Sequence, residues 1–121
     1  LYVNGGTGDV NTINTSGYAT NSQTTIVAIG AKYNAGTTNF FDGQIDEVAF
    51  WNEALTAAEI TALYNSGYGM SASANSGNYT SSSNLVSYYQ MQSNLNDTQG
   101  NHNGSNGNGI SSSNYSNTAI Q

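Results

Sequence analysis

The sequence predicts an all-β chain, a portion of a sandwich closed by one short helix. Three observations carry this. Runs rich in β-branched and aromatic residues, at 1–5, 24–31, 44–51 and 85–91, are separated by turn-forming stretches. Roughly half of the 121 residues are Asn, Ser, Thr or Gly, which favours turns and hydrogen-bonded strands over helix. A full set of helix-start signals occurs at Thr56.

Leu1-Tyr-Val-Asn-Gly5 is a strand running into an Asn-Gly turn, the strongest short hairpin signal. Residues 6–23 read as a polar loop, with a weak strand near Val10 to Ile13. Thr24 to Ala31 is nearly continuous in apolar and β-branched residues, so both of its faces are expected to be covered. A loop over 32–39 leads to the densest stretch of the chain, Phe41 to Gly67.

Gln44 to Trp51 reads as a strand opened by Gly43. Ile45, Val48 and Phe50 are its expected core residues; because Asp46 and Glu47 interrupt the alternation, a bulge near Asp46 is required. A helix near 56–66 follows. Thr56 caps it, Glu59 completes a capping box, and Leu55 is placed to staple onto Ile60. Ile60, Leu63 and Tyr64 share one face, and Gly67 supplies a left-handed stop. Residues 68–84 lose all apolar periodicity and read as a Ser/Gly/Asn-rich connector. Leu85 to Met91 is again a strand, and the tail to Gln121 is low in complexity.

Phe41, Gly43, Ile45, Asp46, Glu47, Val48, Trp51, Asn52, Ala54, Leu55, Thr56, Glu59, Ile60, Leu63, Tyr64 and Gly67 together resemble the C-terminal signature of the laminin-G-like, concanavalin-A-like jelly-roll superfamily. The strand at 85–91, with Asn94, Asp97, Gly100 and Asn101 after it, resembles the N-terminal signature of the same family. The resemblance implies a concanavalin-A-like jelly-roll β-sandwich, partial or permuted. It divides the chain into a C-terminal portion at 1–67, a linker at 68–84 and an N-terminal portion at 85–121. Two arrangements follow. The chain is a window on an array of tandem jelly rolls, or the strand at 85–91 folds back, or crosses to a neighbouring copy, and pairs beside 44–51. The chain begins inside a strand-like segment and reads as a piece of a longer protein.

One basic residue, Lys32, stands against seven acidic ones, for a net charge of −6. That argues strongly against nucleic acid and anionic membrane surfaces as partners, since both are held by Lys and Arg. Without cysteine there is neither a disulfide framework nor a thiolate site. No apolar run spans a bilayer, and no signal peptide is read.

Adjacent carboxylates on a regular strand point to opposite faces, so Asp46 and Glu47 cannot flank one glycosidic bond. His102 has no partner of its kind and no Gly-x-Ser-x-Gly elbow occurs, which disfavours hydrolase triads. The chain is therefore expected not to be an enzyme. Asp46, Asp97 and Asn101 are the candidate metal ligands, and Ca²⁺ is the ion that the resemblance implies; turn chemistry is the competing role for Asp97. Nine tyrosines and one tryptophan invite stacking on sugars. Tyr2, Tyr64, Tyr88 and Trp51 fall in elements with core positions, whereas Tyr18, Tyr33, Tyr68, Tyr79 and Tyr115 fall in loops. Asn-x-Ser/Thr triplets at Asn14, Asn78, Asn96, Asn103 and Asn114 are what this composition produces by chance.

The expected function is a non-catalytic surface module of a virion or extracellular appendage, such as a phage or bacterial surface protein. Its expected partners are a glycan or surface-protein ligand and neighbouring copies or repeats of the same fold. The alternatives are a decoration or fibre subunit assembled by strand exchange, and a carbohydrate-binding accessory of a secreted hydrolase.

Overall fold

The computed structural model describes residues 2–7, 27–31 and 40–105. They belong to two compact units: Leu1–Val10 with Asp46–Gln121, and Asn11–Ile45. The weak strand expected at 10–13 and the low-complexity tail beyond 105 lie outside the described residues.

In the first unit, β1 (Tyr2–Val3) and β2 (Gly6–Thr7) form the expected hairpin, in the register Tyr2↔Thr7 and Val3↔Gly6. Asn4 and Gly5 both take positive φ, 53° and 68°, as a two-residue primed turn requires. Helix α1 (Ala57–Tyr64) docks on this turn. Thr61 Oγ1 donates to the Gly5 carbonyl at 2.9 Å, and a Cβ at Gly5 would overlap the Tyr64 side chain.

The capping box starts α1 as the sequence specifies. Glu59 N donates to Thr56 Oγ1 at 3.3 Å, and Thr56 N donates to Glu59 Oε2 at 2.9 Å. The helix stops two residues earlier than Gly67. Asn65 is already left-handed at φ 46°, followed by Ser66 at 57° and Gly67 at 94°, because Asn tolerates this region when its side chain finds a local acceptor. Here Asn65 Nδ2 donates to the Gly69 carbonyl at 3.0 Å.

The second sheet pairs β3 (Val48–Trp51) antiparallel to β4 (Leu85–Tyr89). This is the fold-back pairing, made within one chain. The strand expected over 44–51 begins at Val48, since Glu47 at φ 54° breaks extended geometry. Its expected core set is also inverted. Ala49 and Trp51 pack against the core, while Phe50 is 42% exposed. The irregularity lies not near Asp46 but opposite Phe50 and Trp51, where Phe50↔Ser87 is followed by Trp51↔Leu85 and Val86 is left over. That extra residue lets Leu85 and Tyr88, three apart, reach the same face.

The core consists of Ala72, Tyr79, Leu85 and Tyr88, with Trp51, Leu55, Leu63 and Met70 packed against it. Two of its four members come from 68–84, the stretch expected to be a connector. There Ser76 and Tyr79 bridge through reciprocal backbone hydrogen bonds of 3.0 Å, which turns Tyr79 inward. Its ring meets Trp51 edge-on at 6.4 Å; its hydroxyl accepts from Trp51 Nε1 and donates to the Ala72 carbonyl, both at 2.9 Å. Tyr79 and Tyr88 are the largest fully buried side chains, each worth about 1.5–3 kcal/mol of apolar burial. Tyr79 thus leaves the set of loop aromatics available to a ligand, whereas Tyr68 is 62% exposed. Tyr2 and Tyr64, expected in core elements, are exposed.

In the second unit Ala31 bridges Phe40, and Phe41 N donates to the Gly30 carbonyl at 2.8 Å. Ile45 belongs here, its Cδ1 packed over Gly30, which explains its absence from the β3 core face. Val27 is 71% exposed, against the expectation of a strand covered on both faces.

Candidate functional site

Beyond Tyr89 the chain closes a loop. Tyr89 bridges Asp97, Thr98 N donates to the Tyr88 carbonyl at 2.8 Å, and Gly104 N donates to the Leu95 carbonyl at 2.8 Å. Met91 at φ 53° turns the chain out of β4. Asn94 Oδ1 accepts from Asn96 N at 2.8 Å, a local side-chain turn that shapes the far end. Inside is a concave pocket of about 190 Å³. Gln90, Gln92, Asn94 and Asn96 bring carboxamides to it, and Ser93 and Thr98 bring hydroxyls. The turn at Met91 and the bends at Gln92 to Asn94 curl the chain, so successive side chains from 90 to 98 line one hollow.

Asp97 locks the loop. It is 3% exposed; Oδ1 accepts from Tyr88 N at 2.8 Å and Gln99 N at 3.0 Å, Oδ2 accepts from His102 N at 3.1 Å, and its own N donates to Asn103 Oδ1 at 3.0 Å. Three backbone donors on one carboxylate make Asp97 a structural anchor of the turn. Asn101 lies in the same turn and is exposed.

Asp46 does not join them. β3 pairs with one edge of β4 and Asp97 with the other, so two strand spacings, about 9.5 Å, separate those backbones. Asp46 is exposed and accepts from Glu47 N at 3.0 Å. Oδ1 of Asp97 is filled by two N–H groups and Oδ2 already accepts one, so the carboxylate is engaged in holding its own loop. Among the described residues no three His, Cys, Asp or Glu side chains gather around a point.

Ser87, His102 and Asp97 also meet, without forming a triad. Ser87 Oγ lies 3.1 Å from His102 Nδ1, and Asp97 Oδ2 lies 3.7 Å from the same nitrogen. A relay needs the two ring nitrogens to serve different partners. The His102 side chain is largely exposed, at 63%.

Two further carboxylates matter to the scaffold. Glu59 receives five hydrogen bonds, from Ser81 Oγ at 2.6 Å, from Thr56 N and Oγ1, and from Thr80 N and Oγ1. The Ser81 hydroxyl, then the Thr56 amide and hydroxyl, hold its carboxyl down to about 2. Glu47 is the opposite case: burial, then the neighbouring Asp46 charge, push its carboxyl up to about 7, and its Oε2 is buried without a partner.

Sequence reasoning placed Asp97 and Asn101 in the right turn but missed the carboxamide pocket beside them. The signal was the cluster of amides Gln90, Gln92, Asn94 and Asn96, and in a chain so rich in Asn it does not stand out.

Residues 1–61 match the family model for the concanavalin A-like lectin/glucanases superfamily, of laminin-G type. No curated protein and no solved structure matches the chain. The match spans the hairpin, β3 and the first turns of α1, and ends before the pocket loop. The chain belongs to the concanavalin A-like lectin/glucanase superfamily.

Proposed function

We propose that this chain is a non-catalytic binding module of jelly-roll type, making contact with glycans on the outside of a cell or virion. The observation that carries this reading is the pocket at 90–98, which offers hydrogen-bonding amides and hydroxyls and no titratable group. Such a lining orients hydroxylated ligands and has nothing with which to move a proton. The engagement of Asp97 and Glu59 by scaffold donors supports the same reading, since neither carboxylate is left to serve as an acid or base toward a ligand. Membership of a superfamily of lectins and glucanases agrees with a saccharide ligand but does not separate binding from hydrolysis.

The test is retention of the purified whole chain on immobilised oligosaccharides, with released reducing ends measured in parallel. Retention without release is expected. Release of reducing ends overturns the non-catalytic assignment. Absence of retention, together with concentration-dependent polymers in sedimentation, favours a structural subunit held by strand exchange.

A further inference from the structure

We infer that the pocket at 90–98 takes one neutral sugar ring and discriminates against sulfated and carboxylated glycans. This rests on the glycan reading above and adds the ligand class and its location.

Size limits the occupant. At about 190 Å³ the pocket is smaller than the ~300–1,000 Å³ of sites that enclose drug-sized ligands, so it holds a single ring while the rest of an oligosaccharide stays outside.

The chemistry selects hydroxyls. Each carboxamide presents an acceptor and two donors side by side, which matches neighbouring sugar hydroxyls that both give and take hydrogen bonds. Asn94 is already committed, accepting from Asn96 N at 2.8 Å and donating to Ser93 Oγ at 3.4 Å, so it shapes the pocket. Among the described residues the side chains of Gln90, Gln92 and Asn96 have no such protein partner, and these three are the ligand-contacting groups. The loop is held in advance by the Tyr89–Asp97 bridge and the Asp97 carboxylate, so little ordering accompanies binding.

Charge excludes anions. No charged side chain lines the pocket, and the whole chain has one Lys or Arg against seven acids. A sulfate or carboxylate entering it gives up water and meets no cation. Asp97, between the lining residues Asn96 and Thr98, adds negative charge next to the site.

The experiment measures binding of the whole chain to lactose, cellotriose and mannotriose and to the sulfated form of each, by calorimetry or array. Wild type and the double variant Gln92→Ala/Asn96→Ala are compared, with thermal melting to establish that both are folded. The expected result is binding of at least one neutral probe, at least tenfold weaker binding of its sulfated form, and at least tenfold loss in the double variant. Equal or tighter binding of the sulfated form overturns the neutral-ring inference. Unchanged binding in a folded double variant moves the site elsewhere while leaving the glycan reading intact. No binding of any probe by folded wild type overturns both. If the double variant does not fold, Gln92→Ala alone, whose side chain anchors nothing in the scaffold, carries the same comparison.

Discussion

Two glutamates on either side of β3 show how differently one scaffold treats the same side chain. Glu59, in the first turn of α1, is 5% exposed and receives five hydrogen bonds from two segments that are distant in sequence. Glu47, just before β3, has one oxygen buried with no partner beside the Asp46 charge. Burial therefore does not decide whether a carboxylate stabilises or costs; the donors brought to it do. Glu59 ties the helix start to Thr80 and Ser81, fastening α1 to the segment that leads into β4. Glu47 ties nothing, and its left-handed backbone marks where β3 begins.

The largest effect is expected from Glu59→Gln. The amide can accept on one side only, so either the Thr56 donors on Oε2 or the Thr80 and Ser81 donors on Oε1 lose their acceptor. We expect the greatest fall in melting temperature of any substitution named here, leaving little folded chain at 37 °C; a fall no larger than that of Glu47→Gln would break the contrast. Asp97→Asn comes next, because one of three backbone N–H groups then faces an amide hydrogen. The cost is expected to be about 1.5–3 kcal/mol in urea unfolding, with weaker binding in the loop it holds.

The pH dependence sharpens the comparison, because the two shifts have opposite signs. Glu59 is lowered to about 2 from 4.5, so its contribution is complete above about pH 4.5 and is lost as pH falls toward 2. Glu47 is raised to about 7, so the folded state holds its proton better, and stability is lost as pH rises from 4.5 through 7. Melting temperatures measured from pH 2 to 8 are expected to peak near pH 4.5–5. Glu47→Gln should flatten the upper limb alone, raising stability above pH 7 by under about 1 kcal/mol, once solvent screening of this half-exposed group is allowed for. A variant that steepens the limb, or acts only below pH 4, would contradict the assignment. The smallest effect is expected from metal. Excess calcium and chelator should give the same melting temperature, whereas a calcium-dependent rise would place an ion at Asp97 and Asn101 and displace the turn assignment.

Local signals were legible where a few adjacent residues fix the geometry: Asn4-Gly5 gave the hairpin, and Thr56 with Glu59 gave the helix start. The face of β3 was not legible, because Val48 and Phe50 look as apolar as Ala49 and Trp51; a one-residue choice exchanges the faces. Only Tyr79, arriving from a stretch that reads as linker, decides which pair is inside. The pocket was hidden for a related reason, since its amides are ordinary in composition and gain meaning only when Asp97 closes their loop.

From the sequence alone come the superfamily, the strand and helix chemistry, and the acidic charge balance. These depend on neighbours in the chain or on sums over it. The tertiary structure alone settled that Leu85–Tyr89 pairs with Val48–Trp51, that Tyr79 and Tyr88 make the core, and that Glu59 is saturated while Glu47 is not. Those outcomes depend on which donors and rings meet across 20 or more intervening residues, and no local pattern encodes that meeting.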